Sequence, residues 1–263
     1  INSLTLKIVM GNKLIFLGTG TSQGVPIIGC DCQVCRSNDP HDSRLRTSAY
    51  VEYQGVHLLI DAGPDFRQQI LTNNISTIDA VLLTHQHKDH TGGLDDARAF
   101  NYTTKKGFEI YLEPNVAESL KKEYSYAFEK EKYPGVPEFN LHIIDENPFS
   151  VNGVEIVPVR AIHYKLPILG FRFGNLGYLT DANYISEESI AKLRGIKTFV
   201  ISCLRKEEHI SHFSYDQVMQ VCEKVGAERV FFTHMSHRMG LHEHMLNTLP
   251  NGIEPAYDGL SIT

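Results

Sequence analysis

The stretch that most constrains this chain is residues 80–93, AVLLTHQHKDHTGG. An apolar run of strand character stops at Thr84, and His85, His87, Asp89 and His90 follow within six residues. Side chains at i and i+2 of an extended segment point the same way, so His85 and His87 can reach one metal ion. Asp89 and His90, carried on the turn that follows, can be presented to a second ion a few ångströms away. Imidazole with carboxylate suits Zn²⁺, Mn²⁺ or Fe, and paired ions are a known device for activating water. A chain with such a loop must place it at a strand end and bring further ligands to it from elsewhere.

The rest of the sequence is organised to do so. Short apolar runs read as strands at 13–20, 48–53, 57–63, 80–85, 108–114, 154–162, 171–182, 198–203 and 229–234. A hairpin is expected at Gln54-Gly55. Helical periodicity is found at 64–74, 114–128, 186–195 and 214–226. The last two begin at a serine cap and end at glycine. The stretch 129–148 looks like an excursion from the core. This order predicts a layered α/β sandwich in one domain over residues 10–263. MGNKLIFLGTG from Met10 reads like a natural start, which leaves residues 1–9 an uncertain extension.

With 263 residues and 42% hydrophobic content, the chain can bury a sizeable core. A net charge of −6 with no basic face argues against a nucleic acid as partner. No run has the length of a membrane span and no leader is read at the start, so the expected location is cytoplasmic. No oligomer signature is legible; a homodimer is compatible with the sequence.

Five cysteines are present, and Cys30, Cys32 and Cys35 crowd into GCDCQVC (29–35). An odd count clustered this way suits metal thiolates in a reducing compartment better than disulfides. Three thiolates are one short of a tetrahedral structural zinc, and His237 in THMSH can complete a Cys₃His site. Cys203 and Cys222 read as buried small hydrophobes. GTGTSQG (18–24) lacks the lysine of a phosphate-binding P-loop, and its glycines are expected to let the backbone turn close to the metal site.

HQHKDH followed by Gly-Gly-Leu matches the HxHxDH signature of the metallo-β-lactamase superfamily. HLLIDAG, RAIHYKLPILGFRF, GYLTDA and VFFTHMSH match its later motifs in order over nearly the whole chain. The resemblance implies an α/β fold, the four-layer αββα metallo-β-lactamase sandwich. It also implies a ligand set: His85, His87 and His163 on one ion, Asp89, His90 and His234 on a second, with Asp181 bridging them. Asp61 is expected to orient a ligand histidine through its second N–H.

GTGTSQGVP, GCDCQVC, HQHKDH and the C-terminal HxxH together resemble the phosphoribosyl 1,2-cyclic phosphate phosphodiesterases of the carbon–phosphorus lyase pathway. That branch implies two divalent active-site ions (zinc or manganese, with iron an alternative) and one structural zinc. It implies a small cyclic phosphodiester opened by attack of a hydroxide shared between the metals, with Asp89 and Asp181 at the reacting centre. His212, in HISHFSYDQV, would assist departure of the ring oxygen. Two alternatives share the motifs. One is tRNA 3′-end processing, disfavoured because 101–148 mixes lysines with glutamates. The other is an accessory protein of pyrroloquinoline quinone biosynthesis. His41, His57, His142, His209, His242 and His244 fall in no matched motif and are expected at the surface. Tyr124, Tyr126, Phe128 and Tyr133 are candidates for lining a pocket, or for plain packing.

Overall fold

The structure is a computed structural model and describes residues 12–263. The proposed start at Met10 and the extension 1–9 lie outside the described residues. Among these residues, one sheet holds β1 (Lys13–Gly18), β2 (Ser48–Tyr53), β3 (Val56–Ile60), β4 (Ala80–Leu82), β5 (Phe108–Leu112) and β6 (Phe139–Ile143), closed on the far edge by β15 (Ser261–Ile262). The second runs β11 (Tyr184–Ile185), β8 (Val154–His163), β9 (Leu166–Phe173), β10 (Leu176–Leu179), β12 (Thr198–Ser202), β13 (Arg229–Thr233), β14 (Ile253–Pro255), with β7 (Phe149–Val151) beside β8. Each sheet is antiparallel on one side and parallel on the other, β3 to β6 and β10 to β14 being the parallel strands.

Period-two alternation explains the layering. Leu14 and Phe16 of β1 face the second sheet, while Ile15 and Leu17 face helices on the opposite side. In β13, Phe231 points into the space between the sheets, and Val230 and Phe232 point outward. Helices α1 (Phe66–Thr72), α4 (Pro114–Glu123) and α5 (Ser125–Phe128) cover the first sheet. The second is covered by α6 (Glu187–Leu193), α7 (Tyr215–Val225) and α8 (His242–Thr248). The short α2 (Lys88–Thr91) and α3 (Arg98–Thr104) connect β4 to β5. The result is the expected αββα sandwich, in which the central parallel strands β4, β10 and β12 are buried on both faces while the edge strand β6 is not.

The Gln54-Gly55 hairpin forms with both residues at positive φ. Helix α7 carries the capping box between Ser214 and Gln217 and ends on the left-handed Gly226. Two readings are corrected. Residues 171–182 are not one strand: Gly174-Asn175 turns the chain between β9 and β10. Residues 129–148 are not wholly an excursion, because β6 pairs with β5. No helix among the described residues is long and apolar enough to cross a membrane.

Candidate metal centre

Functional side chains gather at one edge of the sandwich, where β3, β4, β8, β10 and β13 all end. Asp61, Asp181 and His234 follow the ends of β3, β10 and β13 in left-handed backbone, with φ of 60°, 57° and 52°. Such conformations cost residues with a Cβ about 1–2 kcal/mol. Their recurrence at three strand ends of one edge marks strain concentrated where side chains are aimed inward. Gly63 and Gly93 let the α2 turn pack down: a Cβ on Gly63 would meet the Asp89 carbonyl oxygen at 2.1 Å, and one on Gly93 the Gly63 carbonyl oxygen at 2.0 Å.

His85, His87 and His163 form one cluster, each offering a ligand atom within 4.8 Å of the others. His85 Nε2 lies 3.0 Å from His87 Nδ1. The tautomers follow from the surrounding bonds. Thr84 donates its hydroxyl to Asp61 Oδ2 (2.9 Å), so its oxygen accepts from His85 Nδ1 (2.9 Å). His163 Nδ1 donates to the Ser211 carbonyl at 2.7 Å. Both rings therefore turn an unprotonated Nε2 toward the cleft. Burial first, then His90, drives His85 well below the usual imidazole range, favouring the neutral form a metal requires.

Asp89, His90, Asp181 and His234 form the second cluster. Asp181 Oδ1 is 3.1 Å from His234 Nε2, and its Oδ2 is 3.4 Å from His90 Nε2 and 4.0 Å from His85 Nε2. That carboxylate thus spans both clusters. His90 Nδ1 donates to Asp61 Oδ2 at 2.6 Å, leaving Nε2 for the cleft. His90 Nε2 and His234 Nε2 are buried with no hydrogen-bond partner. Burial opposes charge at His90, yet Asp181, Asp89 and Asp61 hold its imidazolium well above the usual range. The site thus favours a cation. Donor types, free lone pairs and this field fit a pair of divalent ions.

His212 completes a third group with His163 and Asp181. Its ring stacks on His234 at 5.0 Å and lies 4.7 Å from His163. Burial, with His234 and His163 adding to it, pushes this imidazole down to about 3, so near neutral pH it is uncharged.

The three cysteines of the loop lie around His237. His237 Nδ1 lies 3.3 Å from Cys30 Sγ, 3.3 Å from Cys32 Sγ and 3.5 Å from Cys35 Sγ. A hydrogen bond from the Cys35 N–H helps pull the Cys32 thiol down to about 6, whereas burial pushes Cys35 up to about 11. Four donors converging in this way fit a closed zinc site. Cys203 and Cys222 are buried in the second sheet's helical layer. The glycine loop sits against the His234 strand end, with Gly20 bridged to Met235 and to Arg46.

Some expectations fail. His242 is buried rather than at the surface, with Nδ1 3.4 Å from Arg44 Nη2. His209 is half-buried, its ring 5.2 Å from that of His212. Tyr124 packs under α4 and donates to the Thr91 carbonyl, while Tyr133 is exposed and Tyr126 bonds Asp95. The cavity beside the metal cluster is walled instead by Tyr164, Lys165, Leu166, Ile210 and Ser211. All five lie inside stretches quoted for a neighbouring histidine, His163 or His212, but were not themselves singled out. The one available signal was a tyrosine in a turn where glycine or asparagine is expected.

A model described as the beta-lactamase superfamily domain matches residues 57–235. An octanoyltransferase of Porphyromonas gingivalis is 42% identical over 251 residues, covering 94% of this chain and 51% of that protein. The chain therefore spans about half the length of that curated relative. A crystal structure of a new diphosphatase from the PhnP family superposes with a TM-score of 0.89 at 39% identity, over 95% of this chain and 96% of that one. Zn²⁺-bound PqqB from Methylobacterium extorquens shares the fold, with a TM-score of 0.77 at 19% identity over 95% and 99% of the chains. The chain belongs to the beta-lactamase superfamily and, within it, to the PhnP family.

Proposed function

We propose that the protein is a metal-dependent hydrolase that cleaves a small phosphodiester, such as phosphoribosyl 1,2-cyclic phosphate, by attack at phosphorus. The observation that carries this reading is Asp181, whose Oδ1 faces His234 and whose Oδ2 faces both His90 and His85, so that one carboxylate lies between the two ligand clusters. His85, His87 and His163 would hold one ion, Asp89, His90 and His234 the other, with Asp181 shared. Zinc, manganese or iron there would acidify water and offset charge on the phosphate oxygens. His212, neutral and stacked beside the cleft, would donate an N–H to the departing oxygen. Cys30, Cys32, Cys35 and His237 would hold a structural zinc that fixes the wall next to His234.

The 39% identical diphosphatase supports phosphorus as the centre attacked. Cleavage of a diphosphate and opening of a cyclic diester would both proceed by attack at phosphorus with an oxygen as the leaving group. The octanoyltransferase name belongs to a protein about twice the matched length. The cleft here is built from imidazoles and carboxylates. Nucleic-acid processing is disfavoured by the net charge of −6.

The test is turnover of bis(p-nitrophenyl) phosphate by protein reconstituted with Zn²⁺ or Mn²⁺. Activity is expected, with a loss of about 10²-fold or more in Asp181→Ala at unchanged fold. Fully metallated wild type that turns over no phosphodiester overturns the proposal.

A further inference from the structure

His212 is held differently from the histidines that face the two ligand clusters. His85, His90 and His163 each have Nδ1 tied by a hydrogen bond, to Thr84, Asp61 and the Ser211 carbonyl. His212 Nδ1 is buried and has no hydrogen-bond partner among the described residues. Its ring is oriented by stacking against His163 and His234 and by the backbone on either side. The ties on residues 210–213 therefore set where this imidazole stands.

Three such ties are present. His163 Nδ1 donates to the Ser211 carbonyl at 2.7 Å, and the Phe213 N–H donates to the Ala182 carbonyl at 2.7 Å. The third is Asn183 Nδ2, which donates to the Ile210 carbonyl at 3.3 Å. The same amide accepts the Tyr164 N–H on its Oδ1 at 2.6 Å. Tyr164 stands in left-handed backbone, φ 59°, in the two-residue turn between His163 of β8 and Leu166 of β9. The Asn183 N–H is itself bonded to the Ile162 carbonyl at 2.8 Å, which seats the residue beside that turn. One half-buried side chain thus spans the turn after His163 and the segment that carries His212. It follows Asp181 by two residues yet belongs to neither ligand cluster.

We propose that Asn183 is a positioning residue for proton transfer, fixing His212 relative to the His163 hairpin so that its ring N–H meets the departing oxygen. Of the three ties, one comes from His163 and one is main chain to main chain, so Asn183 is the side chain given to this task alone. The role rests on the proposed hydrolase reading. In it, water's oxygen bonds phosphorus as the ring P–O bond breaks, the ring oxygen takes the His212 proton, and the proton lost by water restores the imidazole. An alkoxide leaving from a cyclic ribose phosphate needs that proton, whereas a nitrophenolate leaves as a stable anion.

The test compares metal-loaded wild type, Asn183→Ala and Asn183→Asp on phosphoribosyl 1,2-cyclic phosphate and on bis(p-nitrophenyl) phosphate. Asn183→Asp keeps an acceptor for the Tyr164 N–H and loses only the donor to Ile210, so the hairpin survives in it. Both variants should retain their metal and lose about 10- to 100-fold in kcat on the cyclic phosphate, with KM little changed. The loss on the nitrophenyl ester should be much smaller. Added to His212→Asn, either substitution should cost nothing further. Amide hydrogen exchange at 210–213 should be faster in both variants. Equal losses on the two substrates, losses that add to that of His212→Asn, departure of metal, or unchanged exchange overturns the role. So does a wild type that cleaves the nitrophenyl ester but not the cyclic phosphate, since no alkoxide then calls on His212. Wild type that turns over neither diester overturns the hydrolase reading, while the exchange measurement still decides whether Asn183 holds the segment.

Discussion

His90 Nδ1 and Asp61 Oδ2 meet at 2.6 Å in a fully buried pair, and that bond decides which nitrogen of His90 reaches the cleft. Asp61 also accepts from the Thr84 N–H and hydroxyl, and through Thr84 it sets the tautomer of His85. One carboxylate thus orients a histidine of each cluster. Asp61→Asn should lower active-site metal affinity about 10–100-fold. Competition against a calibrated chelator, followed by metal analysis, measures it; unchanged affinity would remove Asp61 from this role.

Replacing Cys32 by Ser leaves two thiols beside His237, three of the four donors that converge there. The zinc content of fully loaded protein should fall by one ion per chain, with a lower melting temperature, because a closed zinc site contributes directly to folding. Elemental analysis beside calorimetry reads both effects.

Gly63→Ala would drive its methyl into the Asp89 carbonyl oxygen. The α2 turn must shift, at a cost of about 1–3 kcal/mol by the measure of overpacked cores. Activity should fall further than stability, since Asp89 moves with the turn. Urea unfolding and steady-state rates on bis(p-nitrophenyl) phosphate separate the two effects.

His242 is pushed down to about 4 by burial, with Arg44 and His41 adding to it. A histidine whose pKa is lower folded than unfolded contributes stability that is intact above about pH 6.5 and is lost as pH falls toward 4. His242→Gln should therefore lose less stability than wild type between pH 7 and 4, by on the order of 2 kcal/mol. Parallel acid limbs for the two proteins in urea denaturation would contradict this.

Substituting His212 by Asn removes the stacked imidazole without touching Asp181, His163 or His234. The rate constant kcat should drop about 10²-fold with metal content unchanged. A loss of bound metal instead would make His212 a ligand rather than a donor to the leaving oxygen.

The site was legible where chemistry and local order coincide. Four ligand types crowd behind AVLL, and His163, Asp181 and His234 each close a strand-like run. The Cys₃His set was readable because three cysteines leave one vacancy and THMSH offers a second ring, His237, beyond His234. The cavity wall was not, since the Asn183 side chain accepts from the Tyr164 N–H and donates to the Ile210 carbonyl, and no periodicity records those two bonds. His242 was misplaced for a related reason. Its neighbours Arg44 and Tyr257 come from distant loops, and short HEHM gives no apolar face to announce burial. Strand β6 hid in a polar stretch because its partner β5, not its own composition, holds it.

The outer edge of the first sheet has a consequence for the order of synthesis. Strand β1 pairs on one side with the nearby β2 and on the other with β15, while Thr19 donates through its N–H and hydroxyl to Asp258. The earliest and latest parts of the described chain are thus adjacent in space. A ribosome that has released only the first sheet's inner strands exposes an unpaired edge, with two of the three residues of one cluster and two of the four of the other. Docking of the second sheet and arrival of β15 must follow, so the cleft becomes complete only after nearly the whole chain is available. Capture of the proposed active-site ions would then be a late event in the protein's maturation.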